Sequence, residues 1–156
     1  SAAAADTDGG CVLCRILASD EPPERTYLLW RDDVCAAVLN AYPYNNGHVM
    51  VAPYRHEPTI EPLDDATLLE TMQLVRRSMA ALREVYAPEG FNIGINQGGV
   101  AGAGIEDHVH QHVVPRWGGD ANFIAVIGQT KPIPQLLTET RALLAEAWPG
   151  RARRSG

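Results

Sequence analysis

A chain of 156 residues has room for one domain with a substantial core and little besides. Hydrophobic residues make up 46% and charged residues 21%, which excludes a disordered or fibrous chain, and no apolar run is long enough to span a membrane. A formal net charge of −6 suits neither a nucleic-acid backbone nor an anionic surface, so no nucleic acid and no membrane is expected as a partner.

In chain order, residues 1–10 are small and polar without apolar period and predict a disordered tail. Cys11-x-x-Cys14 follows. Three cysteines are an odd number, so the pair reads as metal-binding or redox-active in a reducing cytoplasm, not as part of a disulfide framework. YLLW (27–30), VCAAVL (34–39) and HVMVAPY (48–54) are short, partly β-branched runs separated by turn residues, and predict three successive strands. Cys35 lies inside the second and reads as core. From Asp64 to Tyr86 the period changes: Leu68, Met72, Val75, Met79, Leu82 and Tyr86 recur at three- and four-residue steps. Asp64 or Asp65 can cap this long helix, and Pro88 and Gly90 end it.

FNIGIN (91–96) alternates as a strand does, and GGVAGAG (98–104) reads as a flexible loop. HVHQHVVP (108–115) predicts another strand, and FIAVI (123–127) a further one. Ile133–Trp148 carries Leu136, Leu137, Leu143 and Leu144 at helical spacing, then Pro149-Gly150 opens a C-terminal tail over 149–156. Strands in runs with helices between them imply an antiparallel α+β domain over 11–148.

Histidines at 108, 110 and 112 would share one face of such a strand, at steps of roughly 6.5–7 Å. Two chemistries suit the row. Neutral imidazoles are common transition-metal ligands, and one imidazole nitrogen can instead attack phosphorus while its neighbours position substrate and assist the leaving group. The adjoining glycine loop favours the second, because glycines allow backbone N–H groups to turn toward an anion.

His-Val-His-Gln-His-Val-Val (108–114) resembles the His-φ-His-φ-His-φ-φ signature of the histidine triad (HIT) superfamily of nucleotidyl hydrolases and transferases, with Gln111 at one apolar (φ) place. Asn-Ala-Tyr-Pro-Tyr-Asn-Asn-Gly-His-Val-Met-Val-Ala-Pro-Tyr-Arg-His (40–56) is similar to the family's ribose-side strand, and Val-Pro-Arg-Trp-Gly-Gly-Asp-Ala-Asn-Phe (114–123) looks most like its diadenosine tetraphosphate phosphorylase branch. The resemblance covers about Cys11 to Ile127. It implies a five-stranded antiparallel sheet with two helices, paired as a homodimer. His110 matches the nucleophile, and His112 the histidine that contacts phosphate and assists the leaving group. Asn40 matches a ribose contact, Asn96 a phosphate contact, and His48 a histidine beside the triad. Gly102 and Gly104 fall in the phosphate-side loop, where relatives often carry Gln at the place of Gly104. Relatives with an N-terminal C-x-x-C pair it with histidines matching His56 and His108, which implies a structural zinc on Cys11, Cys14, His56 and His108.

The reading that results is a cytoplasmic enzyme acting on the α-phosphate of a nucleotide through a nucleotidyl-histidine intermediate, with diadenosine tetraphosphate as the implied substrate. Hydrolysis of nucleoside phosphoramidates or adenylated conjugates is a rival within the same chemistry. A nucleotide-binding sensor with little turnover and a metallohydrolase that uses the triad as ligands are rivals outside it.

Overall fold

A computed structural model describes residues 10–43, 45–120 and 134–150. The strand expected at 123–127 and most of both expected tails lie outside the described residues. In chain order the elements are α1 (Val12–Ala18), α2 (Pro23–Thr26), β1 (Leu28–Arg31), β2 (Cys35–Leu39) and β3 (Val49–Pro53), then α3 (Asp65–Tyr86), β4 (Gly90–Ile95), β5 (Gln111–Arg116) and α4 (Pro134–Ala147). The five strands form one sheet in the order β1-β2-β3-β5-β4, antiparallel at every pairing. The expected α+β class and five-stranded sheet hold.

β2 and β3 are buried at every residue because the sheet is covered on both sides. Cys35, Ala37 and Leu39 of β2, with Val49 and Val51 of β3, face the core that Leu74, Val75 and Leu82 of α3 and Leu144 of α4 complete. Ala36, Val38, Met50 and Ala52 face the other way, onto Leu13 and Leu17 of α1. Each fully buried Leu contributes about 1.5–3 kcal/mol relative to exposure, so the core near β3 is where the sheet is least able to move. Cys35 is a core residue as expected; its thiol donates to Glu70 Oε2, and burial, the largest cause, pushes its pKa up. Within the expected helix periods, Met72 and Leu143 are solvent-exposed.

Two short helices, α1 and α2, add to the two long ones that were expected. α1 is seven residues long, too short for a 3.6-residue period to register, and is held by caps and tertiary contacts. Cys11 stands at its N-cap, where its Sγ accepts from Cys14 N, and Arg31 Nη1 donates to the Leu17 carbonyl at the other end. α3 starts where Asp64 Oδ1 accepts from Thr67 N at 2.9 Å, and ends at Ala87 in the left-handed conformation. No described helix is long and apolar enough to cross a membrane.

Candidate active site and metal centre

β5 begins at Gln111, so His108 and His110 precede the strand that was expected to carry all three histidines. The evenly stepped row therefore does not form. His110 and His112 have ring centroids 4.7 Å apart at 71°, while His108 serves a separate cluster. The reason is local: Val109 N donates to the Glu57 carbonyl and His108 Nε2 to the Pro53 carbonyl, anchoring the chain to the segment after β3 before it joins the sheet.

Cys11, Cys14, His56 and His108 each offer one ligand atom, all within 4.8 Å of one another. His108 Nδ1 lies 3.3 Å from Cys11 Sγ and 3.4 Å from Cys14 Sγ, and His56 Nδ1 lies 3.2 Å from Cys14 Sγ. A tetrahedral zinc with ordinary Zn–S and Zn–N bonds places such atoms roughly 3.5 Å apart, so this donor set fits the ion. Because His108 Nε2 carries the hydrogen given to Pro53, its Nδ1 lone pair is turned to the cluster.

Hydrogen bonds also assign the other rings. His110 Nδ1 donates to the His108 carbonyl at 2.9 Å, leaving Nε2 with a free lone pair in the neutral ring. Asn40 Oδ1 accepts from Tyr42 N, so its amide nitrogen is the atom 3.4 Å from His48 Nδ1. His48 Nδ1 is then the acceptor, and Nε2–H donates to His112 Nδ1 at 2.8 Å. That leaves the hydrogen of His112 on Nε2, on the ring edge turned away from His48. Burial, the largest cause, lowers all three pKa values. His48 is held down to about 3 and His112 to about 4, each also disfavoured by its histidine neighbours. At His110 the bond to the His108 carbonyl partly offsets the lowering. The three rings are neutral at pH 7.

His112 faces the same side of the sheet as Met50, opposite Gly94 of β4. A 280 Å³ cavity opens there, with Asn96 in its wall. Gly102, at φ +92, brings the glycine loop against it: a Cβ there would stand 3.8 Å from Asn96 Nδ2. Gly104 is placed elsewhere, in a 410 Å³ cavity between the start of α1 and Asp107, beside Cys11. Sequence reasoning did not single out Asn45, Asn92, Arg116 and Asp120. Arg116 forks onto Asp120 through Nε (2.9 Å) and Nη2 (2.8 Å), and Asp120 also accepts from Trp117 N and Asn45 Nδ2. Those bonds hold the Asp120 carboxyl well below the usual carboxylate range, with the Arg116 hydrogen bond as the largest cause. The i,i+4 pairing of Arg116 and Asp120 was the one signal the sequence offered for this network.

Residues 23–119 match the family described as HIT domain. Over 125 residues the chain is 49% identical to an AP-4-A phosphorylase of Mycobacterium tuberculosis, a match that takes in 80% of this chain and 64% of that protein's length. It is 30% identical to an uncharacterized HIT-like protein of Methanocaldococcus jannaschii, over 79% of this chain and 91% of the relative. Among solved structures, a Zn-bound histidine triad family protein from Mycobacterium smegmatis superposes with a TM-score of 0.68 at 28% identity, covering 88% of this chain and 94% of that one. A Hit-like protein from Bartonella henselae shares the fold at a TM-score of 0.74 and 18% identity, over 90% of this chain and 98% of that one.

Proposed function

Because the chain belongs to the HIT domain family, we propose that it is an enzyme that transfers the nucleotidyl group of a dinucleoside polyphosphate, diadenosine tetraphosphate, first to His110 and then to phosphate or water. The observation that supports this reading is the 2.9 Å bond from His110 Nδ1 to the His108 carbonyl, which puts the ring hydrogen on Nδ1 and leaves Nε2 unprotonated for attack. That lone pair attacks the α-phosphorus. The bond to the leaving polyphosphate breaks, and its oxygen leaves as an anion steadied by a hydrogen bond from His112 Nε2–H. In the second half an anionic phosphate oxygen, held by the same N–H, attacks that phosphorus and the electron pair of the P–N bond returns to His110 Nε2; when water attacks instead, its proton is released to the solvent. Asn40 holds the ribose, while Asn96 and the loop around Gly102 hold phosphate oxygens.

Zinc, when bound to Cys11, Cys14, His56 and His108, supplies a structural tie, since four protein ligands leave no position for water or substrate. The fit of the donor set and the likeness to the zinc-bound mycobacterial structure support this. The assembly is read as a homodimer. Among the described residues β4 has β5 as its one strand neighbour and carries the exposed Ile93, so its other side is the one a second copy would cover.

Product analysis with diadenosine tetraphosphate tests the reading. With phosphate present, ADP and ATP are expected, and with water alone AMP and ATP. Rapid quenching of α-labelled substrate should trap an acid-labile label on the wild type and none on His110→Asn, whose turnover falls by several orders of magnitude while AMP binding stays within about threefold. Sedimentation of the same preparation should give twice the chain's 16.9 kDa. Retained turnover in His110→Asn with no trapped label would overturn the covalent route. Binding without turnover in the wild type would make the protein a sensor.

A further inference from the structure

The cavity beside His112 has a wall that the reaction as described leaves unused. Asn92 lies opposite Val114 and Gly94 opposite His112, so Asn92, Gly94 and Asn96 follow one another along the His112 side of β4. Asn45, Asn92, Gly94, Asn96, His112 and Arg116 line the space, and nothing stands within 4 Å of where a Cβ on Gly94 would be. The floor next to His112 is open.

Hydrogen-bond direction shows what this wall presents. Arg116 Nη1 donates to Asn92 Oδ1 at 2.5 Å. A guanidinium has no acceptor, so the Asn92 carboxamide must give Arg116 its oxygen and turn its NH₂ elsewhere. Arg116 is itself locked in plane by the two-point fork onto Asp120, and three of its five N–H groups are engaged. The Asp120 carboxylate is satisfied by Arg116, Trp117 N and Asn45, and it does not line the cavity. The donors of the lining are Asn92 Nδ2, the N–H groups of Arg116 not given to Asn92 or Asp120, and the Nε2–H of His112, while Asn45, whose Nδ2 donates to the Pro115 carbonyl and to Asp120, keeps only Oδ1 as an acceptor. Several donors beside one acceptor suit a phosphate group that still carries a hydroxyl.

We propose that this cavity is the subsite for the departing polyphosphate and, in the second half-reaction, for the orthophosphate that replaces it. This subsite presupposes nucleotidyl transfer through His110. In-line displacement puts the leaving oxygen on the far side of phosphorus from His110 Nε2, and the second displacement brings its acceptor in along that same line. His112, whose Nε2–H hydrogen-bonds the leaving oxygen and then the incoming one, lines this cavity and so fixes that side. Departure of the polyphosphate frees the donors, and orthophosphate can occupy them. Its oxygen forms the new P–O bond as the P–N bond breaks, giving a nucleoside diphosphate. Water makes little use of such a wall, so the subsite also favours phosphate as acceptor.

Asn92→Leu tests this, because it removes the donors on an exposed edge-strand residue without adding charge. With diadenosine tetraphosphate, kcat/KM should fall about tenfold or more, the range for lost hydrogen bonds to a charged group. The KM for orthophosphate should rise by a similar factor. With the p-nitrophenyl ester of AMP, whose leaving group carries no phosphate, kcat/KM with water as acceptor should change by less than about twofold, since every contact to the α-phosphate remains. Equal losses on both substrates, or no loss on either, would overturn the subsite. Titration of the wild type with inorganic tripolyphosphate supplies a readout independent of turnover: the side-chain NMR signals of Asn92 and Arg116 should shift and saturate. Absence of that shift overturns the subsite whatever the enzyme cleaves. Saturation in a protein that cleaves neither ester keeps the subsite and overturns the transferase reading instead.

Discussion

Three polar atoms of His108 meet four partners: Nδ1 faces the thiols of Cys11 and Cys14, Nε2–H the Pro53 carbonyl, and the main-chain oxygen the His110 ring. One residue therefore links the Cys/His cluster to the tautomer of His110. His48 plays the corresponding part for His112. It is fully buried, its ring faces Asn40, His112 and His110, and its pKa is held near 3 against an ordinary 6.5. A histidine whose folded pKa is lowered contributes stability that is present above about pH 6.5 and is lost as pH falls toward the folded value. Urea unfolding of wild type and His48→Asn between about pH 6 and pH 4 should show the wild type losing up to about 1.4 kcal/mol more per pH unit, the slope for one proton. Both chains keep the four cluster ligands, so any loss of metal on acidification is shared and cancels in the comparison. Parallel pH profiles would show that His48 does not carry the linkage.

At the scale of elements, the turn between β2 and β3 sets Asn40 and His48 on either side of one bend. Gly47 makes that bend at φ +82, and a Cβ there would stand 2.6 Å from Leu82 Cδ2 and 3.2 Å from Tyr86 Cε2. Both backbone conformation and space exclude a side chain, because α3 packs directly under the turn. Gly47→Ala is expected to cost ~2–4 kcal/mol in unfolding free energy, the sum of left-handed strain and overpacking. A loss below about 1 kcal/mol would mean that α3 yields easily at this point. β4 and β5 divide the work differently. β5 carries His112 with Val113 buried behind it, whereas β4 offers Asn92 and Asn96 along a strand with one neighbour among the described residues.

Across the whole molecule, the Cys11–Cys14–His56–His108 cluster gathers α1, the segment after β3 and the approach to β5 at one point. These segments are distant in sequence, so a metal that binds them together contributes its binding free energy to folding. Cys11→Ser and His56→Ala are each expected to drop zinc content from one per chain toward zero after dialysis. A stability loss of ~2–3 kcal/mol lowers Tm by about 5–10 °C for a chain of this size. Equal zinc content in wild type and both variants would rule the site out. Complete loss of turnover with zinc, in a chain that keeps its fold, would assign the metal to the reaction itself.

Periodicity and turn chemistry in the sequence determined the α+β class, the long helix with a cap at Asp64 or Asp65 and the buried strands around Cys35 and Val51, because those signals are local and span many residues; the structure chose Asp64. The triad spacing marked His108, His110 and His112 as a group for the same reason. α1 was illegible: seven residues with Leu13 and Leu17 on one side complete too few turns to show a period, and the helix depends on contacts with β2 and β3. Alternation also implied one even row of three histidines. Only the tertiary structure decided that His108 leaves the row for the cluster while His110 and His112 stay together, since anchoring to Pro53 and Glu57 starts the strand at Gln111. Tautomers, too, were decided there. A ring's proton is placed by the partner it meets, and the partners of His48, His110 and Asn92 come from side chains or carbonyls that folding alone brings within reach.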